Sequence, residues 1–131
     1  MLQNIMLVFL GGGLGSAARF GLSTWTNLIV PQKGDFPFGT LAVNLLGSFF
    51  AGFVWYFVSH ISIKHDLRLL LSVGFLGGFT TFSAFALDTV LLGREGHVKA
   101  AFANIMLNNI GSIALLIAGI LAARLVSGGL K

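Results

Sequence analysis

The residues best suited to chemistry are two phenylalanines three positions apart, Phe82 and Phe85, directly after the adjacent threonines Thr80 and Thr81. The quadrupole of an aromatic ring places positive charge at the ring edge. Two rings presented edge-on to a narrow path could stabilise an anion without holding it tightly, which conduction requires. Packing is the usual role of a phenylalanine pair in a span, and most of the 13 phenylalanines must serve it.

Uncharged polar side chains within the apolar runs supply many hydrogen-bond donors: Asn44, Thr80, Thr81, Ser83, Asn104, Asn108 and Ser112. Asn104, Asn108 and Ser112 recur every four residues and therefore form one stripe on a helix. Such amides and hydroxyls often link neighbouring membrane helices. Many neutral donors with little net charge also suit a small, strongly hydrated anion, whose water shell hydrogen bonds must replace. They suit a cation or an organic substrate less well.

Two charged residues, Arg19 and Asp88, lie within spans, where a charge is costly unless it faces protein or water. Arg19 either extends to the membrane interface or lines an aqueous vestibule and attracts anions. Asp88 is either a hydrogen-bond partner for another helix or part of an ion path. Both alternatives stay open for each residue.

Other candidate sites have weaker signals. Residues 11–15, Gly-Gly-Gly-Leu-Gly, resemble a phosphate-binding loop but lack a preceding strand and a following Lys-Ser or Lys-Thr, so close helix packing is favoured. His60, His65 and His97 lie in predicted loops without metal-site spacing and are interpreted as surface residues. No serine has a base and an orienting acid in the same membrane layer, so we do not expect an enzyme.

The elements that must position these residues are membrane helices. Of the 131 residues, 56% are hydrophobic and only 9% are charged, against roughly 25% charged in typical globular proteins. Four apolar runs, about 2–29, 38–59, 67–92 and 98–126, approach or exceed the length of about 20 residues that crosses a bilayer. We predict an all-α membrane protein with one transmembrane domain over residues 1–131. The first run is too long for a typical signal peptide and is expected to remain as a span.

The third run is not expected to be one continuous helix. Residues 74–81 include three glycines and two adjacent threonines. Glycine costs about 1 kcal/mol relative to alanine in a helix interior, and β-branched threonines add to that cost. Backbone groups freed in hydrocarbon are tolerated only where protein or a water-filled cavity satisfies them. A break at mid-membrane therefore indicates an ion site made from exposed carbonyls and helix ends.

The basic residues indicate almost no preferred orientation. Four spans put Lys64, Arg68, Arg124 and Lys131 on one side and Lys33, Arg94 and Lys99 on the other. Four against three is a very weak signal under the positive-inside rule, so we predict insertion in both orientations and pairing as an antiparallel dimer.

Small residues four positions apart predict close helix contacts: Gly11 with Gly15, Gly47 with Ala51, and Gly74 with Gly78. Four short helices bury little surface on their own. Assembly into an oligomer is therefore the expected way to bury the interrupted third span.

Taken together, these features resemble the Fluc family of small fluoride channels over essentially the whole chain. The resemblance is carried by Gly-Gly-Gly-Leu-Gly followed by Arg19, by Gly39-Thr40-Leu41 followed by Asn44, and by residues 74–85. It implies an antiparallel, dual-topology homodimer with two pores in the cytoplasmic (inner) membrane. The implied function is passive export of fluoride, which accumulates when HF enters a cell and dissociates there, and hence fluoride resistance.

The resemblance also implies roles for single residues. Phe82 and Phe85 would line the fluoride path, Asn44 would be its asparagine, and Thr81 and Ser83 would contribute hydroxyls. Further expected pore residues are Asn108, Ser112, Arg19 and Asp88. The chain departs from the family at Asp88, where a glutamate is common, and at Leu116, where a threonine is common.

A structural sodium ion on the dimer axis is also implied, held by backbone carbonyls of Gly77 and Thr80 from both subunits. Carbonyl oxygens freed by a helix break suit a hard cation. The bound charge would in turn lower the energy of nearby anions.

A small dual-topology multidrug exporter is the main alternative. Such exporters need a glutamate embedded in the first span for proton exchange, and this first span has no acid. A non-transporting membrane subunit would need neither the helix break nor the aligned donors. The expected partners are fluoride, the lipid bilayer and a second copy of the chain. Nucleic acid is not expected, because the basic residues are scattered singly.

Overall fold

The computed structural model describes residues 1–30, 35–61 and 63–128, and the regular elements there are all helices. They are α1 (Leu2–Ile29), α2 (Phe38–His60), α3 (residues 65–79), α4 (Phe82–Arg94) and α5 (Val98–Val126). Together, α3 and α4 form the third span. Four spans in the described part of the chain are thus long and apolar enough to cross a membrane, as predicted.

The spans end within a few residues of the predicted positions. Helix α2 reaches His60, and the third span extends from His65 to Arg94, two residues further at each end. The extension at Arg94 is set by a tight turn in which the His97 N–H donates to the Leu92 carbonyl at 2.8 Å. Gly96 has φ of 85° in this turn, a conformation that glycine adopts without strain. Predicted loop residues 31–34 and 62, and tail residues 129–131, lie outside the described residues.

The third span is interrupted at Thr80 and Thr81. Helix α3 ends at Phe79, both threonines are extended (ψ of 155° and 112°), and α4 begins at Phe82. Thr81 caps the new helix, because its Oγ1 accepts a hydrogen bond from the Ala84 N–H at 3.2 Å. The predicted break therefore lies at the two threonines, and the glycines before it belong to the last turns of α3.

The glycines near the start of the chain form a close contact between α1 and α3. Gly11 lies against the backbone of Leu70 and Gly74, and a Cβ there would be 3.0 Å from the Gly74 Cα. A Cβ at Gly15 would meet the Phe75 carbonyl. These approaches confirm the packing interpretation of residues 11–15 and the pairing of small residues on both helices.

A second close contact joins α2 to α5. A Cβ at Gly52 would meet the Leu116 carbonyl, and a Cβ at Gly119 would meet the Phe49 carbonyl. Sequence reasoning did not single out Gly52 or Gly119, although Gly119 lies four residues before the fully buried Ala123. That small-residue spacing was the available signal.

Two helices contain π-helical stretches, Leu69–Phe75 in α3 and Leu107–Gly111 in α5. A π-helical turn holds an extra residue, so it rotates the side chains that follow it relative to a regular helix. The stretch in α5 includes Asn108, whose side chain is thereby placed at the break in the third span. Neither stretch has a recognisable sequence signal.

Candidate functional site

A cavity of about 950 Å³ lies beside the break, between α2, the two halves of the third span, and α5. Most of the predicted site residues line it: Asn44, Gly77, Thr80, Thr81, Phe82, Phe85, Asn108 and Ser112. Leu116, the departure from the expected hydroxyl track, lines it as well. The fold therefore brings residues from three spans together around one cavity.

The two phenylalanines are in direct contact at the start of α4. Their ring centroids are 5.3 Å apart, and the ring planes are inclined at 61°. Phe85 is only 7% exposed, whereas Phe82 is 75% exposed. Both rings line the cavity, one of them buried in its wall and the other largely exposed.

Asn44 bonds the interrupted backbone in both directions. Its Oδ1 accepts from the Thr81 N–H at 2.9 Å, and its Nδ2 donates to the Thr81 carbonyl at 3.0 Å. In an unbroken helix these backbone groups would pair with Gly77 and Phe85 instead. Because a backbone N–H only donates and a carbonyl only accepts, the orientation of the Asn44 amide is unambiguous.

A chain of hydrogen bonds leads from Asn44 back to α4. The Nδ2 of Asn44 also donates to Asn108 Oδ1 at 2.9 Å, and Asn108 Nδ2 donates to Asn104 Oδ1 at 2.8 Å. Asn104 Nδ2 then donates to Thr89 Oγ1 at 2.9 Å, and the Thr89 hydroxyl donates to the Phe85 carbonyl at 2.8 Å. We call this chain the amide relay. The asparagine stripe predicted on the fourth span therefore links helices.

The carbonyls of Gly77 and Thr80 both lose the donors that a continuous helix would supply. The Thr81 N–H, which would reach Gly77, donates to Asn44, and the Ala84 N–H, which would reach Thr80, donates to the Thr81 hydroxyl. Gly77 is exposed, and no atom lies within 4 Å of the position its Cβ would take. These residues fit a hard cation, which prefers oxygen ligands.

Arg19 and Asp88 are not among the residues that line the cavity beside the phenylalanines. Arg19 is half-buried and lines a cavity of about 420 Å³ that Thr40 and Thr81 also line. The Thr40 hydroxyl donates to Asp88 Oδ2 at 2.8 Å, so Asp88 is a hydrogen-bond partner between helices. Thr81 borders both cavities, and the break is thus the wall that they share.

Residues 6–120 match the model of a family described as "CrcB-like protein, Camphor Resistance (CrcB)". The chain belongs to this CrcB-like family. A "Fluoride-specific ion channel FluC" of Parabacteroides distasonis is 43% identical over 125 residues, 95% of this chain and 96% of that protein. Proteins of the same name from Serratia proteamaculans and Pyrococcus horikoshii are 38% and 41% identical, covering 98% and 92% of this chain and 99% and 95% of their own lengths. The predicted family resemblance is confirmed.

The remaining candidates of this CrcB-like chain are at its surface. Ser83 is exposed, with its hydroxyl 3.3 Å from that of Thr81. The three histidines are exposed, as predicted. His97 lies near two acids, Asp35 and Glu95, with possible ligand atoms of all three within 4.8 Å. Sequence spacing does not predict this exposed cluster, because its members come from two separate connections.

Thr89 is the residue of this CrcB-like site that sequence reasoning missed. It lies one turn after Phe85 on the same face of α4, and its hydroxyl is the link between Asn104 and the Phe85 backbone. The spacing of four residues from Phe85 was the available signal. Its donor role depended on the packing of α5 against α4, which the sequence does not report.

Proposed function

We propose that this protein is a fluoride-selective channel that exports fluoride passively across the cytoplasmic membrane and so confers fluoride resistance. The observation that carries the proposal is the Phe82–Phe85 pair at the interrupted third span, with Phe82 open to the cavity. Support comes from relatives about as long as this chain that are named fluoride-specific ion channels. The multidrug-exporter alternative gains no support, because α1 has no acidic residue.

The proposed path runs along the break from the Arg19 cavity to the phenylalanines. Arg19 attracts anions into its cavity, and the negative charge of Asp88, which bonds the cavity residue Thr40, opposes their retention. The Thr81 and Ser83 hydroxyls then lie at the N-terminus of α4, where the helix dipole favours negative charge. The ring edges of Phe82 and Phe85 replace part of the water shell of the fluoride ion.

The amides and hydroxyl on the opposite wall complete the proposed path. Asn44, Asn108 and Ser112 border the same cavity as the rings. Because a neutral wall attracts an anion weakly, fluoride can leave as readily as it enters. Leu116 replaces one hydroxyl further along, so the path at that depth depends more heavily on the phenylalanines.

The proposed assembly is an antiparallel homodimer with two such paths. The wall of the cavity beside the break includes the polar groups of Ser72 and Asn109. Polar groups exposed to lipid are costly, and a second copy would cover them. Among the described basic residues, Arg94 and Lys99 on one side oppose Lys64, Arg68 and Arg124 on the other, which leaves both orientations accessible.

We further propose that the Gly77 and Thr80 carbonyls, contributed by both copies, hold a structural sodium ion. The support is that both carbonyls lose their helical donors, while no atom lies within 4 Å of the position of a Gly77 Cβ. When bound, the ion supplies positive charge close to the break, which favours anions nearby.

The test is efflux of fluoride from liposomes that contain the purified protein, compared with efflux of chloride. We expect fluoride to pass and chloride to be retained. Phe82→Ile and Phe85→Ile should each slow fluoride by about tenfold or more, which corresponds to about 1.4 kcal/mol. Phe9→Ile is the matched control, because Phe9 is 73% exposed on α1 and is not among the residues that line either cavity. No flux, or equal rates for both halides, would reject the channel.

A further inference from the structure

Two members of the amide relay, Thr89 and Asn104, are not among the residues that line the cavity beside the break. Asn104 is completely buried between the helices. Its side chain nevertheless accepts from Asn108 and donates to Thr89, so it connects a cavity residue to the α4 backbone. The Asn104 side chain is therefore not positioned to touch an ion in the cavity.

The relay has one direction, because backbone groups fix both of its ends. At one end the Thr81 N–H can only donate, and Asn44 must therefore present its Oδ1. At the other end the Phe85 carbonyl can only accept, so the Thr89 hydroxyl must donate to it and accept from Asn104. Asn108 and Asn104 therefore each accept through Oδ1 on the Asn44 side and donate through Nδ2 on the Thr89 side.

We propose that Thr89 and Asn104 are positioning residues of the ion path, which support the Asn108 amide from behind the cavity and hold the Phe85 backbone. This inference rests on the proposed function. With a hydroxyl at position 89, Asn104 keeps its oxygen toward Asn108, and Asn108 keeps its oxygen toward Asn44. The relay adds to two local constraints, because both backbone groups of Thr81 already fix the Asn44 amide and Asn108 also donates to the Asn104 carbonyl at 3.1 Å.

Removing the Thr89 hydroxyl weakens this support. Asn104 Nδ2 would lose its acceptor, and the amide could rotate, which would break the bond that its Oδ1 accepts from Asn108. Asn108 would keep only its bond to the Asn104 carbonyl on that side. The Phe85 carbonyl would also lose its tie to α5.

The experiment compares Thr89→Val, which removes the hydroxyl at nearly constant volume, with Thr89→Ser, which keeps it. We expect Thr89→Val to slow fluoride efflux from liposomes by about tenfold, the order of one buried hydrogen bond, and Thr89→Ser to stay within about twofold of wild type. Thr26→Val makes the same chemical change at a buried threonine of α1 outside the relay, and its efflux should be unchanged.

A second readout does not depend on flux. The NMR signals of the Asn44 and Asn108 side-chain amides, recorded on the full-length protein in micelles, should shift in Thr89→Val and not in Thr26→Val. Should the valine variant fail to fold, Thr89→Cys offers a weak thiol donor instead. Its rate of fluoride efflux is expected to lie between the rates of the serine and valine variants.

The outcomes separate the two proposals. If wild type conducts fluoride and Thr89→Val does so equally, with unshifted amide signals, the positioning role is overturned and the channel stands. If wild type conducts nothing, the channel fails, and the amide signals alone decide the relay. A thiol variant indistinguishable from wild type in efflux and amide signals would also overturn the positioning role.

Discussion

The amide of Asn44 occupies the place of two missing helical bonds by pairing with both backbone groups of Thr81, at 2.9 Å and 3.0 Å. A side chain from α2 thus satisfies the polar groups that the break in the third span frees. Because no water is available in hydrocarbon, leaving them unpaired would cost several kcal/mol for each group. The break is therefore stabilised by the neighbouring helix rather than by local sequence.

Asn44→Leu is predicted to destabilise the protein by about 2–6 kcal/mol, at about 1–3 kcal/mol for each of two buried backbone groups left unsatisfied. The Thr81 N–H and carbonyl would both lose a partner, whereas leucine has a similar volume. Thermal unfolding in detergent micelles measures the change. Asn109→Leu is the matched control, because the Asn109 amide donates within its own helix, to the Ile105 carbonyl at 2.8 Å. Equal losses of thermal stability in the two variants would contradict a special role for Asn44.

The position of the break could be predicted from the sequence, but the way it is stabilised could not. Glycine content and two adjacent threonines locate the interruption within a few residues, since these residue types are poor in helix interiors whatever surrounds them. The pairing of Asn44 with Thr81 depends on how α2 lies against the break. Such distant contacts have no local signal.

The same distinction applies to the rest of the site. Phe82, Phe85 and the asparagine stripe follow from spacing on a helix, which is a local property. The shift of Asn108 through a π-helical turn, and the link from Asn104 to Thr89, arise from helix packing. Sequence reasoning therefore found most of the polar residues of the site and missed Thr89 behind the cavity.

Thr81→Val is predicted to destabilise α4 by about 1 kcal/mol, because the Ala84 N–H loses the hydroxyl that caps the helix. Thr81→Ser keeps the capping oxygen, so the stability of α4 in this variant should be close to that of wild type. Hydrogen exchange at the first turn of α4 measures the effect locally. Unchanged exchange in the valine variant would show that the cap does not hold this helix end.

Gly15→Ala is predicted to destabilise the protein by about 1–3 kcal/mol, the usual cost of forcing extra volume into a tight contact. The added Cβ would meet the Phe75 carbonyl and lie 2.9 Å from the Phe79 N, so α1 would have to move away from α3. Gly13→Ala is a close control on the same helix, where no atom lies within 4 Å of the new Cβ. It should be neutral or stabilising by up to about 1 kcal/mol through helix propensity. Matching melting temperatures for the two variants would argue against the close contact.

Alanine substitutions at Gly77 and Gly93 test whether a second copy of the chain covers the surface beside the break. Both have open space around the position of a Cβ, so a single copy of the chain tolerates alanine equally well at either position. If a second copy covers the break, as proposed, Gly77→Ala places a methyl group in that interface, and Gly93→Ala leaves it untouched. We expect the alanine at position 77 to lower the dimer fraction several-fold, measured by cross-linking in micelles at fixed protein concentration. Relative to potassium, sodium should also stabilise the Gly77→Ala variant less than it stabilises wild type, because the neighbouring carbonyls of the two copies would be held further apart. The same dimer fraction in both variants would place the partner elsewhere, since a surface packed against Gly77 has no room for the extra carbon.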